Sequence, residues 1–376
     1  MVTKVASQSS RKVGKVGEER RRSSSTQKAT SSKRVASARN EDNQDDESIN
    51  AAAAASLPLG KALASTEKSI RDEAIHSLSA YLSQADTLNA EPLSDLEMAK
   101  LWKGIFYCFW MSDKPRVQQA LANEMAEIPL SIQKSLKNKK EISNTSWQFF
   151  EGFLDSMVRE WWGLDKWRVD KFMMLVRRFI NAGFRLLDLQ GYEKESIARF
   201  TAMLIKPGGI LQANDVKTPN GLMYHVCDIY LEELDKALLI ESEEEEGEEA
   251  KDVPVTSLLQ PFVDMAASCH SSQHFDRMMK SVIVPYLDDC LVSEAEQETK
   301  ESENRASKRQ KKSIDDDSQC DYPNIFKRAD TNPTELRSRA FSELFSAASR
   351  TESVEARRRR IYKMCREEEE RLEDAE

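Results

Sequence analysis

The sequence has little of what enzyme and metal sites usually require. Among its 376 residues are only four histidines and six cysteines, and no two cysteines form a CxxC pair. One Gly-Gly pair follows Pro207, but no strand pattern precedes it, so it does not resemble a phosphate-binding loop. We therefore expect no catalysis, no cofactor, no bound metal and no small-molecule substrate. The histidines and cysteines nearest to zinc-ligand spacing, which we expect to be core or surface residues, are His225, Cys227, Cys269, His270 and His274.

Long apolar runs and strand-like alternation are also lacking. No stretch of the sequence approaches ~20 apolar residues without a charge, so we expect neither a membrane-spanning helix nor a membrane partner. The basic N-terminus is not followed by an apolar run, so no signal peptide is expected. Because the cysteines have no disulfide-like spacing, they indicate reduced thiols in an intracellular protein.

Charge is segregated into blocks, although the formal net charge is only -9. Residues 1–39 hold eleven Lys and Arg against two Glu, and residues 241–249 hold seven Glu. Such blocks are typical of disordered tails and loops. We predict a disordered tail at 1–56, a helical scaffold domain at 57–292 with an acidic loop at 241–252, a disordered linker with a basic cluster at 293–333, and a charged helical tail at 334–376. The nuclear-import candidates, chosen as clustered basic residues, are Arg20, Arg21, Arg22, Lys33, Arg34, Lys308, Arg309, Lys311 and Lys312.

Between residues 57 and 292, apolar residues recur at helical spacing. About eight or nine helices of roughly 12–25 residues fit this pattern. One is expected to begin with a capping box at Ser94 and Glu97, and another to stop before Pro129. The pattern predicts an all-α fold. We expect an irregular α-solenoid of HEAT or armadillo type, with stacked antiparallel helices and disordered charged tails.

All six tryptophans lie between Trp102 and Trp167, which marks the densest core or contact surface of the chain. Two sets of polar residues lie in this block, at predicted turns beside tryptophans. In a solenoid such turns line one edge and are natural contact surfaces, although capping and ion pairing would explain the same residues. The partner-binding candidates are Ser112, Asp113, Lys114, Arg116, Gln118, Gln119, Arg159, Glu160, Asp165, Lys166, Arg168 and Lys171.

Three segments carry a family resemblance. Residues 106–119 read FYCFWMSDKPRVQQ, residues 159–177 read REWWGLDKWRVDKFMMLVR, and residues 221–234 read GLMYHVCDIYLEEL. Together, in this order and spacing, they resemble the ribosomal RNA processing protein 1 family, nucleolar proteins of large-subunit assembly. The resemblance covers about residues 57–292. It implies a helical scaffold in nucleolar precursors of the 60S subunit, needed for processing precursor rRNA without nuclease chemistry of its own.

The predicted function is accordingly a non-catalytic scaffold in 60S ribosomal subunit biogenesis, located in the nucleus and the nucleolus. As the resemblance implies, its partners would be ribosome assembly factor proteins and the pre-rRNA of the 60S precursor. Two alternatives stay open from the residues. One is a direct RNA-binding protein acting through its basic tails, which predicts steep salt dependence. The other is a generic α-solenoid adaptor for a peptide ligand.

Overall fold

A computed structural model of the chain describes residues 58–87, 93–136, 141–239, 252–305 and 320–375. Within these ranges the regular structure is helical, and only an isolated bridge between Val253 and Ala329 has strand-like pairing. The predicted all-α fold is confirmed. The helices are α1 (Pro58–Leu63), α2 (Lys68–Thr87), α3 (Asp95–Trp110), α4 (Pro115–Ser135), α5 (Asn144–Glu160), α6 (Val169–Leu189), α7 (Lys194–Ile205), α8 (Asn220–Ala237), α9 (Val255–Ser268), α10 (Ser272–Met278), α11 (Val284–Arg305), α12 (Pro323–Arg328), α13 (Pro333–Ser349) and α14 (Glu355–Ala375). A 3₁₀ turn spans Trp161–Gly163, and a π-helical segment spans Met279–Ile283.

Alternate helices pack side by side and build two layers. In one layer α2, α4, α6 and α8 follow one another, each in contact with the next. In the other layer α3, α5, α7 and α9 do the same, and α13 then packs against α9. A helix therefore contacts the helix two places along the chain, which is the contact pattern of an α-solenoid. The predicted irregular α-solenoid is confirmed.

Aromatic side chains fill the space around α3, α5 and α6. Trp102 and Trp147 are 1% and 0% exposed, so both indole N–H groups need a partner. Trp102 donates to the Phe149 carbonyl at 3.0 Å, and Trp147 donates to Gln190 Oε1 at 3.0 Å. This part of the tryptophan block is therefore core, held by burial and by satisfied hydrogen bonds.

The helix α4 passes through Pro129, so the predicted stop before this proline is wrong. A proline inside a helix costs about 3 kcal/mol or more, because it removes a backbone donor and crowds the preceding turn. Here the neighbouring Ile128 and Leu130 are buried, and the Pro129 carbonyl accepts a hydrogen bond from Ser146 Oγ at 2.8 Å. Packing on both sides of the proline outweighs the local cost.

The predicted disordered linker at 293–333 is ordered at both of its described ends. Its start continues α11, and α12 lies near its end. There Ile325 and Phe326 are buried, and Asp235 Oδ1 accepts the backbone N–H of Asn324 at 2.7 Å. The linker prediction is therefore wrong for the described residues, because their charged composition does not reveal contacts with a helix far earlier in the chain.

The predicted tail at 334–376 is helical and charged, but it does not stand apart. Its helix α13 packs against α9 and α11, and α14 packs against α9 and α13. Arg337 donates to both carboxylate oxygens of Glu368, at 2.8 and 2.7 Å, and to the Leu287 carbonyl on α11. Burial would raise the pKa of Glu368, but hydrogen bonds from Arg337 and Arg371 lower it to about 2. The C-terminal helices are thus tied to the stack.

Several predictions concern segments outside the described residues. These are the tail at 1–56, the acidic loop at 241–252 except Asp252, and the basic cluster of the predicted linker. All nuclear-import candidates lie there as well. Among the described residues, none of the helices combines the length and the apolar composition of a membrane span.

Candidate partner-docking edge

Two inter-helix turns meet, and Lys171 joins them. The first turn leads from α3 to α4, and the second, residues 161–168, leads from α5 to α6. Lys171 is 7% exposed, and its Nζ donates to the carbonyls of Phe109, Trp110 and Ser112 at 3.0, 2.7 and 2.7 Å. These carbonyls lie at the end of α3, where the helix dipole favours a cation. The ammonium group therefore caps α3 and holds the second turn against the first.

Arg168 adds a second link between the turns. Its guanidinium lies over the ring of Trp110, 4.5 Å from the centroid, and it also pairs with Asp165. Asp165 Oδ1 accepts the N–H groups of Trp167 and Arg168 at 2.9 and 3.0 Å, which closes the turn before α6. Burial would raise the pKa of Asp165, but these hydrogen bonds and the Arg168 charge hold it below its usual range.

Two tryptophan rings project from the second turn into solvent. Trp162 and Trp167 are 69% and 80% exposed, whereas the other four tryptophans are buried or half-buried. Trp162 Nε1 donates to the Lys217 carbonyl at 3.3 Å, which places the loop 206–219 beside the second turn. Val216 in this loop is 93% exposed. Exposed apolar groups that cluster in this way mark contact surfaces. We call the surface formed by residues 110–119, 159–171 and 215–217 the tryptophan edge.

The structure separates the predicted partner-binding residues by accessibility. Ser112 and Lys171 are buried, and the Ser112 hydroxyl donates to the Phe109 carbonyl at 2.6 Å. These two predictions are corrected, because both side chains hold the turns together and neither is accessible to a partner. A partner role for the remaining residues stays a prediction. The half-buried ones are Gln118, Glu160, Asp165 and Arg168, and the exposed ones are Asp113, Lys114, Arg116, Gln119, Arg159 and Lys166.

Positive charge is in excess at the tryptophan edge once local contacts are considered. Glu160 pairs with Arg159 at 3.0 Å, and Asp215 accepts the backbone N–H of Lys217 at 2.9 Å. Most carboxylates of the edge are therefore already paired or hydrogen-bonded within the edge. Judged on the described residues, the exposed edge cations without an ion pair are Lys114, Arg116, Lys166 and Lys217, and the carboxylates with neither an ion pair nor a hydrogen bond are Asp113 and Asp170.

Side chains that catalysis or metal binding would use are held in structural contacts. Burial raises the pKa of Cys227 to about 12, so its thiol stays protonated near neutral pH and is a poor nucleophile. His225 Nε2 lies 2.8 Å from the Met173 carbonyl, and His274 Nδ1 lies 3.1 Å from the Ala213 carbonyl. Across the described ranges, no three His, Cys, Asp or Glu side chains gather as a metal site.

Sequence reasoning missed the contribution of the loop 206–219. Its contact with Trp162 joins residues 55 positions apart, and no local spacing predicts such a pairing. The one available signal is Val216, an apolar residue between the charged residues Asp215 and Lys217.

Comparison with known proteins assigns the family. The family described as Nucleolar protein, Nop52 matches residues 54–370. Ribosomal RNA processing protein 1 homolog B of Homo sapiens is 35% identical over 182 residues, which cover 48% of this chain and 23% of that protein. The homolog B of Mus musculus is 30% identical over 252 residues, which cover 66% of this chain and 32% of that protein. The homolog of Drosophila melanogaster is 29% identical over 217 residues, which cover 57% of this chain and 28% of that protein.

The chain thus spans about a quarter to a third of the length of these relatives. The family match extends past residue 292, where the resemblance seen in the sequence ends, and so includes α12, α13 and most of α14. The predicted resemblance is confirmed, and the predicted nucleolar location agrees with the description of the family. The chain belongs to the Nop52 family of nucleolar proteins.

Proposed function

We propose that this chain is a non-catalytic scaffold in nucleolar precursors of the 60S ribosomal subunit, which supports the processing of precursor rRNA by docking assembly factors and pre-rRNA. The relatives named above are ribosomal RNA processing proteins, and this chain takes part in the same process. The observation that carries the docking role is the tryptophan edge, where exposed rings stand on turns fixed by Lys171 and Arg168.

The tryptophan edge has the composition of a binding surface. Trp and Arg dominate the few interface positions that carry most of the binding energy. Here Trp162 and Trp167 are exposed within one turn, with Arg159 and Lys166 beside them. Because the turn is already closed by Asp165, a partner does not have to order it, and little free energy is lost to ordering on binding.

The scaffold proposal is tested by sedimentation of the tagged full chain from a nuclear extract, with and without RNase. We expect co-migration with 60S precursors. RNase sensitivity separates attachment through RNA from attachment through protein. A light, free peak under both conditions would overturn the proposal.

The place of docking is tested by the double variant Lys114→Glu with Arg116→Glu. Both side chains are exposed and form no ion pair within the described residues, so the fold should be unaffected. We expect co-migration to fall several-fold because two cations of the edge are reversed. The matched control is Lys280→Glu with Arg366→Glu, two exposed cations outside the edge, which should co-migrate like the wild type. Equal co-migration of a folded edge variant would remove this part of the edge from the docking surface.

A further inference from the structure

We propose that the tryptophan edge binds single-stranded RNA, with unpaired bases stacked on Trp162 and Trp167 and phosphates in contact with Lys166 and Lys217. The inference rests on the proposed function and deepens it, since it names the chemistry of the ligand that the edge takes. It also differs from RNA binding through the basic tails, because the contacts lie in the folded stack.

The two rings are available for stacking, and the turn that carries them is closed by Asp165. Trp167 is 80% exposed, and Lys166 Nζ lies over its ring, 4.8 Å from the centroid, so a cation already stands on the aromatic group. Trp162 is 69% exposed and is anchored by its N–H to the Lys217 carbonyl. Exposed aromatic rings next to cations are the platform on which proteins hold unpaired bases.

The charges select among the possible ligands. An apolar peptide would cover the rings but would leave Lys166 and Lys217 without a counter-charge. An acidic peptide would satisfy these cations but would make no use of two open aromatic faces. A single strand of RNA supplies a flat ring and a negative charge at every nucleotide, and it therefore matches both features at once.

The same geometry disfavours double-stranded RNA. In a duplex the bases are stacked on one another, and their faces cannot reach a protein ring. Trp162 and Trp167 lie in one turn and could contact only bases that are splayed out of a helix. We therefore expect the edge to prefer unpaired segments of an RNA.

The experiment measures binding of the purified full chain to a labelled oligouridylate of about twelve nucleotides, by fluorescence anisotropy. The test variant is Trp162→Ala with Trp167→Ala, and the matched control is Phe345→Ala, an aromatic residue on α13 that is 51% exposed. Both variants remove exposed rings, so both should fold like the wild type. We expect the affinity of the test variant to fall about tenfold for each ring removed, and that of the control to stay unchanged.

A second variant isolates the contribution of the phosphate contacts to RNA binding, and a second probe tests the preference for unpaired RNA. Lys166→Gln with Lys217→Gln should lower the slope of log affinity against log salt by about 1.4, as expected for two phosphate contacts on a single strand. A duplex of the same length should bind the wild type and the tryptophan variant equally. Binding by the basic tails would add to binding at the edge, so the edge is read from the difference between each variant and the wild type.

The outcomes separate this inference from the proposed function. If the tryptophan variant binds the oligouridylate as tightly as the control, the RNA proposal is overturned. If that variant nevertheless no longer sediments with the 60S precursors, the edge docks a protein and the scaffold proposal stands. If the wild-type chain does not sediment with the precursors at all, the scaffold proposal fails whatever the RNA affinity.

Discussion

Lys171 and Arg337 are buried cations, and each joins segments that are far apart in the sequence. Lys171 reaches carbonyls about sixty residues earlier, at the end of α3. Burial lowers the pKa of Lys171 to about 8, which reflects the cost of holding an ammonium group away from water. The cost is tolerated because its donors meet three carbonyls at the end of α3, where the helix dipole favours a cation. A side chain that reads as a surface lysine in the sequence is thus a structural cap.

Lys171→Met tests this role. The apolar stem remains, but the carbonyls of Phe109, Trp110 and Ser112 lose the ammonium group that joins the two turns, so we expect a loss of about 1–3 kcal/mol in the free energy of unfolding. Urea denaturation measures the loss. The control Lys166→Met changes an exposed lysine of the adjoining turn and should stay within about 0.5 kcal/mol of the wild type. Equal stability of the two variants would contradict the capping role.

At the scale of elements, the crossing of α3 and α5 depends on a glycine. A Cβ at Gly152 would lie 2.5 Å from Trp102 Cδ1, 2.7 Å from its Nε1 and 2.8 Å from Met98 Cγ. The indole cannot move aside easily, because it is buried and its N–H is bonded to the Phe149 carbonyl. The absence of a side chain at Gly152 therefore lets α5 approach α3 at Trp102.

Gly152→Ala is expected to destabilise the protein by about 1–3 kcal/mol, because the overpacking outweighs the gain in helix propensity of about 1 kcal/mol. Gly104→Ala on α3 is the matched control. Its Cβ would meet Leu63 at 3.5 Å, an ordinary contact, so only the propensity gain applies and the protein should become slightly more stable. Thermal unfolding of both variants measures whether each change lowers or raises the stability. A stabilised Gly152→Ala variant would mean that α3 and α5 can shift enough to accommodate the added methyl group.

Elements were predictable where local chemistry decides them. The capping box at Ser94 and Glu97 is present as predicted, since its hydrogen bonds join residues three positions apart. The stop before Pro129 was wrong because packing from other helices overrides a local preference. The helix α12 was missed because the contact of Asn324 with Asp235 spans 89 positions. In the candidate site, the two turns were predicted, but their union through Lys171 was not, for the same reason.

At the scale of the whole folded part, the C-terminal hairpin of α13 and α14 completes the stack. It is joined to the rest by the buried pair of Arg337 and Glu368, whose side chains are each 10% exposed, and by the bond from Arg337 to the Leu287 carbonyl. A pair of this kind adds little net stability but makes the loss of either member costly, because the other charge is left buried.

Glu368→Ala should therefore destabilise the protein by about 3–5 kcal/mol and make the hairpin the first site of proteolysis. Urea unfolding and limited proteolysis measure the two effects. The double variant Arg337→Met with Glu368→Leu removes both charges and should recover most of the stability. If the single variant is as stable as the double variant, the pair does not hold the hairpin.

The two-layer order of contacts also has a consequence for synthesis on the ribosome. Because α2 to α8 contact mainly helices one or two places away, they can assemble in order as the chain emerges. The surface of α9 that α13 covers stays exposed until α13 has been synthesised, because about 80 residues separate the ends of these two helices. At translation rates of about 5–20 residues per second, we expect that surface to stay open for roughly 4–16 seconds in every nascent chain. During this interval it is an apolar surface of the unfinished fold that needs protection from other apolar surfaces.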